Sequence, residues 1–153
     1  VNLLERLQKE MNLAFVFISH DLSVVGHLAR RVAVMYLGRI VETGPKEEVF
    51  LRPRHPYTRA LLAAVPQPDP EKKRKRIILE GDVPSPMDPP KGCHFHPRCL
   101  LRFGPCDQVD PTLRDVGPTG SRTRVACHLH DPEYESQIPA EKRAAFRALG
   151  GTL

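Results

Sequence analysis

Four cysteines and one histidine hold most of the chemical possibilities of this 153-residue sequence. Cys93, Cys99, Cys106 and Cys127 run as C-x5-C-x6-C-x20-C, four soft ligands within 35 residues. Pro97, Gly104 and Pro105 lie between them and force turns that could aim the thiolates at one centre. Four thiolates suit tetrahedral zinc and equally a four-cysteine iron–sulfur cluster. The C-x2-C knuckle of zinc ribbons is absent, and the wide gaps lean towards the bulkier cluster. Two disulfides, in three possible pairings, are the alternative and would need an oxidising compartment. The charged, amphipathic start VNLLERLQKE does not read as a secretory signal. His94 and His96 flank the first cysteine as rival ligands, although a surface role suits each better.

The histidine of interest is His20, in Ser19-His20-Asp21. It follows the apolar run Leu13-Ala14-Phe15-Val16-Phe17-Ile18, which reads as a strand buried on both faces, as in a parallel sheet. Asp21 is a good N-cap for a helix from Leu22 to about Ala29. A histidine between strand end and helix start lies where open α/β sheets bind ligands. It could serve as a base or as a donor to a phosphate, or simply be structural. The sequence contains no H-E-x-x-H, no nucleophile elbow and no G-x-x-x-x-G-K-[ST] phosphate loop.

The elements that must position these residues follow from periodicity. Leu3, Leu4, Leu7 and Met11 give an amphipathic helix over Val1 to Glu10, with Asn12 at its end. Strands are expected over about 32–36 and 39–43, joined at Gly38-Arg39. Short helices are expected over 46–51 and over 56–65, the latter burying Tyr57, Ala60, Leu61 and Ala64. Ile77-Ile78-Leu79 is a further candidate strand, Gly81 to Gly92 an extended loop, and Ala140 to Leu149 a polar, weakly constrained tail helix. A strand buried on both faces needs neighbours that the first 44 residues do not supply. The N-terminal part therefore reads as the end of a larger α/β domain.

Composition narrows the classes. Apolar residues make up 41% and aromatics 6%, and the longest apolar run has six residues, too short to span a bilayer. All 16 prolines lie at Pro45 or beyond, about twice the usual frequency. Pro66-Gln67-Pro68-Asp69-Pro70 reads as linker. The net charge of +5 is concentrated in part at Lys72-Lys73-Arg74-Lys75-Arg76, which has no interleaved aromatics to stack bases, so nucleic acid is not an expected partner.

With these residues in view, the run FVFISHDLSVVGHLARRVAVMYLGRIVETG, Phe15 to Gly44, closely resembles the end of an ABC-transporter ATP-binding subunit. HPYTRALLAAVP (His55 to Pro66) and GDVPSPMDPPKGCHFHPRC (Gly81 to Cys99) narrow the resemblance to the oligopeptide/dipeptide importers. It implies an α/β fold: the C-terminal end of a nucleotide-binding domain over 1–66, a proline-rich linker over 67–92, an irregular four-cysteine extension over 93–130, and a tail over 131–153. It implies that His20 is the switch histidine contacting the ATP γ-phosphate. It also implies that Cys93, Cys99, Cys106 and Cys127 hold a [4Fe-4S] cluster, zinc being the alternative. ATP and Mg²⁺ would be bound by the intact subunit, whose phosphate loop and Walker B strand precede the part seen here. By itself the chain is therefore not expected to hydrolyse ATP. The expected partners are transmembrane permeases and a second ATP-binding subunit, on the cytoplasmic face of the membrane. The other reading is a non-catalytic metal-binding or regulatory module.

Overall fold

The computed structural model describes residues 2–65, 77–117 and 120–152. The proline-rich linker from residue 66 to 70 and the basic run from residue 72 to 76 lie outside the described residues.

The helix α1 spans Asn2–Glu10, and Asn12 follows it with φ of 50°, a left-handed conformation that asparagine tolerates at a helix end. The next segment departs from expectation. Residues 13–18 form no strand and are exposed, Val16 at 94% and Ile18 at 98%. A fully buried strand requires hydrogen-bonding neighbours and cover on both faces, and no described strand pairs with this one. Its apolar composition, which drove the expectation, is real; its burial is not supplied by the described residues.

Asp21 caps α2 (Leu22–Leu28) as expected, its Oδ1 accepting the N–H of Ser23 at 2.8 Å and of Val24 at 3.4 Å. Strands β1 (Arg31–Tyr36) and β2 (Arg39–Pro45) then form a hairpin. Its two turn residues are Leu37 and Gly38, with φ of 42° and 77°, the positive pair that a tight hairpin needs. The turn thus begins one residue earlier than the sequence suggests.

The sheet has the order β1-β2-β4-β3 and every ladder is antiparallel; the β1–β2 hairpin is the expected one, whereas the parallel sheet suggested by the run over 13–18 does not form among the described residues. The two short strands, β3 (Arg114–Asp115) and β4 (Arg124–Val125), come from the cysteine-rich segment and carry too little alternation to be read from sequence. Ile77 to Leu79 forms no strand.

Helices α3 (Lys46–Leu51) and α4 (Pro56–Ala63) follow the hairpin, and α5 (Ala140–Ala148) lies near the end. Two cores result. Val32, Val34, Tyr36, Val41, Val49 and Phe95 make the first; Leu101, Leu129, Ile138 and Phe146 make the second. The tail is not weakly held: Phe146 is fully buried, because Ile138 and Phe146 meet Leu101 and Leu129. Among the described residues, no helix is long and apolar enough to cross a membrane.

Candidate functional site

Three of the four cysteines pack on the two cores. Cys93 packs on the first, Cys127 on the second, and Cys99 on both. Three short 3-10 turns carry the intervening chain: His96–Arg98, Gly104–Asp107 and His128–His130. Prolines within the first two supply the bends that the sequence suggested. The Cys93 N–H donates to the carbonyl of Cys106 at 2.9 Å, which clamps two of the loops together.

All four thiols are free and partly buried. Backbone amides favour the thiolate at each sulfur: those of Phe95 and His96 at Cys93, of Leu101 at Cys99, of Phe103 at Cys106 and of Leu129 at Cys127. Burial is the main force on their ionisation and pushes Cys93 up to about 11 and Cys99 up to about 12. Cys127 is driven well above the usual thiol range by burial, then by Cys99, Cys93 and Cys106. The charge of other thiolates opposes ionisation of Cys93, Cys99 and Cys127. Neighbouring amides favour sulfur that bears negative charge, as a thiolate ligand does. Among the described residues, no three of His, Cys, Asp or Glu are grouped so as to hold a single metal ion. Tetrahedral zinc would need its sulfurs about 3.8 Å apart, from Zn–S bonds of about 2.3 Å.

The neighbouring histidines anchor loops. His96 Nδ1 lies 3.0 Å from the carbonyl of Cys93, His94 Nδ1 lies 3.2 Å from the carbonyl of Leu37 in the hairpin turn, and His128 Nε2 lies 2.8 Å from the carbonyl of Val109. Each therefore fixes the backbone around a cysteine. His94 and His96 are half-buried, which the sequence reading as surface residues missed.

His20 lies elsewhere, exposed in the bend before α2. The Asp21 N–H donates to Ser19 Oγ at 3.0 Å, so the residues on either side of His20 are tied to each other. The structure does not bring His20 and the cysteines into one site.

A third constellation escaped the sequence reading. The register between β1 and β2 slips between Val34 and Met35, so that Met35 pairs with Ile40 while Val34 pairs with Glu42. This bulge leaves the consecutive residues Val41 and Glu42 both buried, where strict alternation would expose one of them. The Glu42 carboxylate accepts the N–H of Arg54 at 2.7 Å and of His55 at 2.9 Å. His55 is the N-cap of α4, its Nδ1 accepting from the Tyr57 N–H at 3.0 Å. Burial raises the Glu42 pKa against these bonds, and burial lowers His55 to about 3. Tyr57, Tyr36 and Phe95 pack as an aromatic triad with ring centroids 4.8–5.4 Å apart. Phe95, two residues after Cys93, thereby seats the cysteine loops on α4. The buried side of α4 also includes Thr58 and Arg59, because Arg59 bonds the carbonyls of Leu149 at 2.7 Å and Gly150 at 3.3 Å, past the end of α5.

These features coincide with similarity to known proteins. Residues 41–106 match the family described as oligopeptide/dipeptide transporter, C-terminal region. That stretch includes Glu42, His55 to Thr58 and three of the four cysteines. The chain is 53% identical over 137 residues to the dipeptide transport ATP-binding protein DppF of Escherichia coli, covering 90% of this chain and 40% of the relative. It is 51% identical over 146 residues to a probable peptide ABC transporter ATP-binding protein, y4tS, of Sinorhizobium fredii, covering 95% and 40%. It is 48% identical over 132 residues to the putative oligopeptide transport ATP-binding protein YkfD of Bacillus subtilis, covering 85% and 39%. The chain thus spans about 40% of the length of these curated relatives. The match over residues 41–106 and this degree of identity lead to one assignment: the chain carries the C-terminal region of the oligopeptide/dipeptide transporter family.

Proposed function

We propose that the chain serves in the ATP-binding subunit of an ABC importer, where ATP hydrolysis drives uptake of dipeptides or oligopeptides. The observation that carries this reading is the identity of about half the residues, along 90% of the chain, to a protein named for dipeptide transport and ATP binding. Permease subunits in the membrane and a second ATP-binding subunit are the partners this function requires, and the cytoplasmic membrane face is the corresponding location. No observation favours the stand-alone metal-binding or regulatory alternative.

In this reading the chain divides as the sequence suggests: 1–66 closes the nucleotide-binding domain, 67–92 links, 93–130 is the cysteine module, and 131–153 is the tail. His20 donates a hydrogen bond to the γ-phosphate of ATP and keeps the attacking water in line. Its exposed position, flanked by the Ser19–Asp21 bond, supports that role. Phosphoryl transfer depends chiefly on positioning and charge stabilisation, so one well-placed donor has a large effect. The phosphate loop and Mg²⁺ ligands that such chemistry needs are not in this sequence.

Cys93, Cys99, Cys106 and Cys127 would hold a [4Fe-4S] cluster, with zinc as the alternative occupant. The amides that favour a thiolate at every sulfur and the packing of Cys93, Cys99 and Cys127 on two small cores support this assignment. When bound, the centre supplies cross-linking of the two cores, a gain that comes directly from binding energy in a small domain. The test is ATP turnover by the longer protein that contains these residues together with a phosphate loop. His20→Ala should abolish turnover while nucleotide still binds; unchanged turnover would refute the role of His20.

A further inference from the structure

The tail helix carries a positive charge to the cysteine loops. Lys142, on the first turn of α5, donates from Nζ to the carbonyl of Leu100 at 2.7 Å. Leu100 is the residue after Cys99. Lys142 is half-buried, and among the described residues the ion pairs do not include it. The helix that delivers it is fixed from two sides. Phe146 is buried with Leu101, Leu129 and Ile138 in the core on which Cys99 and Cys127 pack. Arg59 of α4 lies over the Phe146 ring at 4.8 Å and bonds the carbonyls of Leu149 and Gly150.

Four thiolates around a zinc ion, or around the cationic core of an iron–sulfur cluster, leave a centre of net negative charge. Away from water, such a charge needs compensation close by. The nearby carboxylates act in the wrong direction: beyond burial, Asp110 opposes the Cys93 thiolate and Asp107 that of Cys106. At Cys99, burial and the charges of Cys93 and Cys106 oppose the thiolate, and Lys142 favours it.

We propose that Lys142 is a charge-compensating residue of the cysteine centre, brought by α5 to the backbone beside Cys99, and that it sets the reduction potential of the cluster held there. This inference rests on the reading of the four cysteines as one centre.

Reductive titration of the anaerobically purified protein tests it. Loss of a nearby positive charge disfavours the added electron. Lys142→Gln should therefore lower the potential by about 59 mV, a tenfold change in the one-electron equilibrium. Lys142→Arg keeps the charge and should stay at the wild-type value. Arg147→Gln removes the same charge from an exposed position of α5 and should change nothing. If zinc is the occupant, competition with a chelator should show about tenfold weaker binding in Lys142→Gln alone. Failure of Lys142→Gln to load where Lys142→Arg loads fully would likewise support the role. A loaded Lys142→Gln protein that behaves as wild type would overturn the role of Lys142 and leave the centre standing. So would an equal shift in Lys142→Arg or Arg147→Gln. A wild-type chain that takes up neither iron nor zinc would overturn the centre and the role of Lys142 together.

Discussion

The carboxylate of Glu42 accepts the backbone N–H of His55 at 2.9 Å and that of its neighbour Arg54 at 2.7 Å. A buried side chain on β2 thereby holds the start of α4, and α4 in turn carries the aromatic seat for the cysteine loop. Glu42→Gln replaces one acceptor oxygen by a donor amide. One N–H or the amide is then left buried without a partner, at a cost of about 1–3 kcal/mol. For a domain of this size each kcal/mol lowers Tm by about 2–4 °C. Thermal unfolding followed by circular dichroism should show a loss of several degrees; an unchanged Tm would mean that Glu42 does not organise α4.

His55 and His130 are held neutral by burial, at about 3 and about 4 against the usual 6.5 of a free histidine. Both bind protons more readily when unfolded. Their contribution is therefore complete above about pH 6.5 and is lost as pH falls towards 4 and then 3, at about 1.4 kcal/mol per pH unit for each histidine. Glu42, with a raised pKa, works in the opposite direction from the ordinary carboxyl range upward, but it is one group against two histidines. Tm should thus fall between pH 6.5 and 5, and His55→Asn, which preserves an N-cap acceptor, should reduce that fall. An equal fall in the variant would contradict the assignment.

Gly92 precedes the first cysteine with φ of 67°, and a Cβ there would lie 2.7 Å from the Cys106 carbonyl oxygen and 2.9 Å from the Asp107 carbonyl carbon. These are backbone atoms of the loop that Cys93 clamps. Gly92→Ala should separate the Cys93 and Cys106 loops, in addition to about 1 kcal/mol or more of backbone strain. Iron and acid-labile sulfide, measured per chain on anaerobically purified protein, should fall well below the wild-type values. Full retention would show that the two loops do not share a centre.

Each of the four cysteines should prove necessary for that centre. Single Cys→Ser variants at 93, 99, 106 and 127 should lose the brown colour and most of the iron. A colourless wild-type protein with one zinc per chain would replace the cluster by zinc at the same residues. Two disulfides and no metal would remove the site altogether.

The parts of the fold visible in the sequence were those written in local chemistry. Asp21 before Leu22 marked α2, Pro56 after His55 marked α4, and the apolar alternation of Val32 and Val34 marked β1. What was hidden depended on distant partners. The run over 13–18 has the composition of a core strand, yet no described strand covers it. Glu42 is buried because the bulge at Val41 turns it inward, which alternation along the strand does not reveal. The tail looked unconstrained because Phe146 gains its burial from Leu101 and Leu129, which are far from it in sequence. The cysteines were conspicuous by spacing, but the loop-fixing role of His94, His96 and His128 follows only from the folded backbone.

The central claim is that these residues belong to an ATP-driven importer of peptides. It is tested most directly by uptake of a labelled dipeptide into cells whose only copy of the gene carries His20→Ala. Removal of one transition-state donor lowers rates by about 10²–10³-fold, so uptake should fall to background with the protein present at its normal level. Uptake at the wild-type rate in that strain would contradict the account.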